Sequence, residues 1–67
     1  MFDEGRNESE EYEGELIQET ELGILLQYEG ENYWLPKSQI EIEGDPVLGK
    51  ELTVHIPNWL AIENGMM

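Results

Sequence analysis

Apolar and polar side chains alternate along most of this chain after Tyr12, and a period of two marks half-buried strands. The spacing predicts a first strand over 13–20, centred on Leu16 and Ile17, with Glu21-Leu22-Gly23 as its exit turn. A second strand is expected over 24–28 and a third over 33–35, ended by Pro36. Ile40 and Ile42 alternate with Glu41 and Glu43 in a short fourth segment, and Leu52, Val54 and Ile56 alternate with Thr53 and His55 in the last. Gly44-Asp45-Pro46 and Gly49-Lys50 carry turn chemistry. Pro57 opens a short helix over 58–64, with Gly65 placed as its C-terminal cap.

The central hairpin permits a finer reading. With Gly30-Glu31 as a two-residue turn of the type II′ form, Tyr28 faces Tyr33, Gln27 faces Trp34 and Leu26 faces Leu35. Opposed residues share a face, as do residues two apart. Ile24, Leu26, Tyr28, Tyr33 and Leu35 then form one apolar face, while Leu25 and Trp34 form a second patch on the other. The simplest cover for that patch is the C-terminal helix, through Trp59 or Leu60. The expected fold is mainly β: a small curved antiparallel sheet, or an SH3/OB-like barrel, of about five short strands with a short C-terminal helix.

Composition divides the chain. Residues 1–11 hold one large apolar side chain after Met1, Phe2, among charge, Gly, Asn and Ser, so they read as a flexible acidic tail. Residues 12–67 then form a single small β domain. The 67 residues carry 16 acids against 3 bases, a net charge of −13, with no cysteine to supplement the core. No apolar run is long enough for a membrane span and the N-terminus lacks the pattern of a signal peptide, so a cytoplasmic setting is expected. Affinity for nucleic acid comes mainly from Lys and Arg, and only Arg6, Lys37 and Lys50 are present. Neither direct nucleic-acid binding nor docking on an anionic membrane is therefore expected; the field steers in a basic protein instead.

Catalysis fails on inventory. Thr20, Ser38 and Thr53 are the hydroxyls within the expected fold outside turns, and His55, the single imidazole, falls on the strand face opposite Leu52, Val54 and Ile56. No calcium loop and no phosphate-binding glycine loop is present, and so small a domain has little interior for a substrate cleft. The chain reads as no enzyme, with no cofactor and no metal centre.

What remains is the acidic surface. Alternate residues on a strand stand about 6.6 Å apart, close to two axial rises of one DNA strand, about 6.8 Å. Glu13, Glu15, Ile17 and Glu19, and separately Glu41 with Glu43, would thus offer anions at phosphate-like spacing. The bland alternative is a solubilising surface on exposed strands. Two tryptophans in so small a core are most simply packing anchors, although a Trp34 ringed by carboxylates would suit a partner.

The run Trp34-Leu35-Pro36-Lys37-Ser38-Gln39-Ile40, the later Ile56-Pro57-x-Trp59-Leu60-Ala61 with its following glycine, and the Gly-x-x-x-x-Glu-Thr-Glu stretch from Gly14 to Glu21 resemble a group of small phage, prophage and bacterial proteins. The resemblance covers about residues 13–65 and implies a compact β module in a phage or mobile-element setting. It implies no catalytic residues.

The function expected is thus that of a small acidic, phage-like protein that binds and inhibits or regulates a basic, nucleic-acid-binding host or defence protein as a DNA mimic. Its carriers would be Glu8, Glu10, Glu11, Glu13, Glu15, Glu19, Glu29, Glu31 and Trp34. The alternative is an accessory module that self-associates or docks through the Leu25–Trp34–Trp59 apolar surface, its acidity serving solubility.

Overall fold

The computed structural model describes residues 8–66. Five antiparallel strands form one sheet: β1 (Ser9–Glu19), β2 (Gly23–Tyr28), β3 (Glu31–Pro36), β4 (Glu41–Glu43) and β5 (Glu51–Pro57). A 3-10 turn (Lys37–Gln39) lies between β3 and β4, and one helix, α1 (Asn58–Glu63), follows β5. The spatial order is β3-β2-β1-β5-β4. Consecutive strands β3 and β4 therefore sit at opposite edges. In a flat sheet those edges would be about 19 Å apart. The five Cα steps from Pro36 to Glu41 reach at most about 18 Å, and less through a 3-10 turn. The sheet must curl to bring its edges together, yet no ladder joins β3 to β4. It is a curled open sheet, and the closed barrel is not formed.

The concave face holds the core. Leu16, Ile24, Leu26, Val54, Ile56 and Ala61 are fully buried, joined by Tyr12, Leu35, Ile40, Leu52 and Leu60, with Tyr28, Tyr33, Ile42, Trp59 and Met66 packed at its margin. Alternation along β5 and the first half of β1 places these side chains inside and their neighbours outside, as the period of two requires.

The hairpin turn is Glu29-Gly30, one residue earlier than expected. Glu29 (φ 51) and Gly30 (φ 82) both lie in the left-handed region, the type I′ form that matches strand twist, with glycine second. Tyr28 therefore faces Glu31, Leu26 faces Tyr33, Leu25 faces Trp34 and Gln27 faces Asn32. This register sets apolar against apolar and amide against amide on the outer side, which the expected register did not. Because the slip is two residues, every side chain keeps its face.

β1 begins at Ser9, so Ser9, Glu10 and Glu11, expected in the tail, are strand. Their partners are Pro57, Ile56 and His55 of β5, which supply the backbone bonds that local composition could not forecast. The rest of the expected tail, residues 1–7, lies outside the described residues. Ile17 is a bulge: Leu16 faces Leu26, but Gln18 faces Leu25 and Glu19 faces Ile24.

Helix α1 stops at a left-handed glycine. Gly65 (φ 79) donates its N–H to Ile62 and Met66 donates to Ala61, closing a Schellman motif. The helix buries Leu60 and Ala61 at the open end of the core rather than covering Leu25 and Trp34. It leaves from β5, on the far side of β1 from the β2–β3 hairpin, so that outer patch is out of its reach.

Candidate functional site

The outer face of β4, β5 and β1 is a field of carboxylates. Glu11, Glu13 and Glu15 project from β1 opposite His55, Thr53 and Glu51 of β5, and Glu41 and Glu43 of β4 stand opposite His55 and Thr53. All of these glutamates are exposed. Lateral neighbours are about 4.8 Å apart and successive members of a row about 6.6 Å. Little within the field offsets its charge. The hydroxyl of Thr53 donates to Glu13 Oε2 at 3.5 Å, and His55 Nε2 meets Glu43 Oε2 at 3.0 Å. The hydrogen bond to Glu43, and the charges of Glu43, Glu11 and Glu41, hold the imidazole pKa above its ordinary 6.5, against some desolvation.

The sequence-predicted residues divide between surfaces. Glu11, Glu13 and Glu15 are in the field. Glu8 and Glu10 have the opposite parity: the Glu8 carbonyl accepts the N–H of Asn58 at the start of α1, and Glu10 stands near enough to Tyr12 to help raise its pKa, behind burial as the larger cause. Glu19 is turned by the Ile17 bulge into the register of Ile24, where it pairs with Lys37 at 2.7 Å, so the expected row through Glu13, Glu15, Ile17 and Glu19 is broken. Glu29 is the first residue of the hairpin turn and Glu31 follows the turn, in the register of Tyr28. Sequence reasoning missed Glu51. Its signal was its parity with Thr53 and His55, but the β1–β5 pairing that makes it a neighbour of Glu15 joins distant parts of the chain.

Trp34 shares the outer face but lies at its other end, one strand beyond Leu25, and is 51% exposed. Thr20, Leu22, Gly23, Trp34, Leu35 and Pro36 line a shallow groove of 260 Å³ there. Leu22, at the tip of the β1–β2 turn, is 84% exposed. The two tryptophans thus differ: Trp59 packs at the core margin and Trp34 does not.

A larger groove of 570 Å³ runs past the N-terminal end of β4, lined by Ser9, Ser38, Gln39, Ile40, Glu41, His55, Pro57 and Trp59. A third hollow, of 460 Å³, lies beside Glu11, Tyr12, Glu13 and Tyr28. Among the described residues no group of His, Cys, Asp and Glu is arranged to hold a metal ion, and no helix is long and apolar enough to cross a membrane. Comparison with protein-family models, with curated proteins and with solved structures finds no match to this chain.

Proposed function

We propose that this chain binds a basic, nucleic-acid-binding protein and inhibits or regulates it, its carboxylate field taking the place of nucleic-acid phosphates. The observation that carries the reading is the grouping of Glu11, Glu13, Glu15, Glu41, Glu43 and Glu51 on one face of three adjacent strands, with one imidazole among them. Desolvating so many like charges is favourable only against a surface of opposite sign. The phage-like resemblance adds a setting, the cytoplasm of a bacterial host, and a kind of target, a host or defence protein. Capture from a bacterial lysate at low salt should retain basic nucleic-acid-binding proteins that elute as salt shortens the screening length. Reversing Glu11, Glu13 and Glu15 to Lys together should abolish that capture; full retention by the triple variant would remove the field from the site.

A second reading rests on a different observation, the exposure of Leu22 and Trp34 beside one groove. On it the chain self-associates or docks into a larger assembly through that patch. Light scattering separates the two. A salt-insensitive oligomer dissolved by Trp34→Glu favours the patch, and a monomer at all salt concentrations favours the field.

A further inference from the structure

Strand β1 runs past the end of the β2–β3 hairpin. β5 pairs with it over Ser9 to Glu15, whereas β2 pairs with it only from Glu15 onward. Ser9, Glu10, Glu11, Tyr12 and Glu13 thus have a strand on one side and no described strand on the other. Leu16 directs both backbone groups to the β5 side, donating to Lys50 and accepting from Gly49. Alternation then turns the N–H and C=O of Glu11 and Glu13 toward the open side. An unpaired edge of this kind is a template for another strand.

The hollow of 460 Å³ adjoins that edge. Its floor is aromatic: the Tyr12 and Tyr28 rings meet edge to face, with centroids 5.1 Å apart and planes at 78°. Tyr12 is only 6% exposed, yet its hydroxyl hydrogen-bonds to no described residue and is not sealed in the core, and its side chain lines the hollow. Glu11 and Glu13 border it from the opposite face of β1, and Glu10 and Glu29 are close enough to raise the Tyr28 pKa, although burial is the larger cause.

We propose that the open edge of β1 accepts an extended Lys- or Arg-containing segment of a protein partner as an added strand, one cationic side chain seating in the Tyr12–Tyr28 hollow. The proposal rests on the basic-partner reading above and supplies its binding mode. Backbone pairing provides affinity without regard to sequence, and alternate side chains provide the choice of partner. One set of those side chains would lie over Glu11 and Glu13. The other would face Glu10 and the two rings, where an ammonium or guanidinium gains from aromatic faces as well as from carboxylates. A second copy of the chain is a poor occupant, because its edge carries the same carboxylates.

The test uses a blocked hexapeptide of alternating Lys and Val, with two equally charged relatives N-methylated on the Lys or on the Val residues. On saturation, hydrogen exchange at the Glu11 and Glu13 amides should slow at least ~10-fold, as expected when an edge gains a strand. One of the methylated peptides should bind at least ~10-fold more weakly than the parent. Tyr28→Leu should weaken the parent ~2–5-fold while Tyr28→Phe leaves it unchanged, the loss expected for one cation–π contact. Equal binding of all three peptides, without protection at Glu11 and Glu13, would overturn the added strand and leave the charge reading intact. Protection of those amides in the free protein would also overturn it, because the edge would already be filled. Failure of every peptide to bind even at low salt would overturn the basic-partner reading itself.

Discussion

His55 brings to the carboxylate field an imidazole, the side-chain type whose charge changes near neutral pH. Its folded pKa lies above 6.5, so the stabilisation it gives is complete below the unfolded value and is lost as pH rises through the folded one. A titration of the imidazole by NMR should therefore give a midpoint above that of an unstructured histidine. His55→Gln should also flatten the fall in urea midpoint that the native chain shows across the same range; a midpoint at or below the ordinary value would deny the Glu43 contact any role. Gly14 shows a different constraint. A Cβ there would stand 2.3 Å from the carbonyl oxygen of Gln27 and 3.0 Å from Cγ of Leu26. The near obstacle is backbone and cannot rotate away. Gly14→Ala should thus cost about 1–3 kcal/mol, the range of overpacking, seen as a lowered urea midpoint at unchanged slope. The sequence marks Gly14 only as the start of the stretch running to Glu21 and not as a point of close approach, because the contact belongs to the packing of β1 beside β2. Its reason is tertiary.

Among the elements, the β2–β3 hairpin carries a correctable strain. Glu29 is a non-glycine residue at φ 51, where Asn is preferred and where one more negative charge sits at the tip. Glu29→Asn should stabilise the protein by ~0.5–1 kcal/mol, measured by urea unfolding. At the other end of the chain, Gly65→Ala should cost ~1 kcal/mol, since any Cβ is penalised at φ 79 in the Schellman motif. Local chemistry made these elements legible: Gly65 as a cap, the strand alternation at Leu52, Val54 and Ile56, and the face of every hairpin residue all hold. What eluded sequence reasoning is pairing at a distance. The bulge at Ile17, the β-structure of Ser9 to Glu11, and the destination of α1 each depend on which strand lies alongside, and β5 arrives from the opposite end of the chain. The acidic character of the candidate site was visible in the composition, but its membership was not. Glu19 left it through one bulge, and Glu51 joined it through one ladder.

For the whole molecule, a net charge of −13 opposes compaction. Thermal unfolding should shift upward with added salt as repulsion within the carboxylate field is screened, and the Glu11, Glu13 and Glu15 triple reversal to Lys should reduce that shift. A salt-independent midpoint would mean the field does not strain the fold. The divided partnership of β1 acts at this scale too, as a matter of time. Its C-terminal half closes on β2 across one short turn, and β2 on β3 across another. Its N-terminal half must find β5 across most of the chain, a closure that costs more entropy and should slow folding. The hairpin half should therefore form early, and the half that carries the acidic field should form last and open first. Amide exchange at Tyr12 and Val54 should accordingly run faster than at Leu26 and Tyr33. A protein that grips β1 there would hold in place a strand whose ladder to β5 is expected to close late, so the bound chain should outlast the free one under protease.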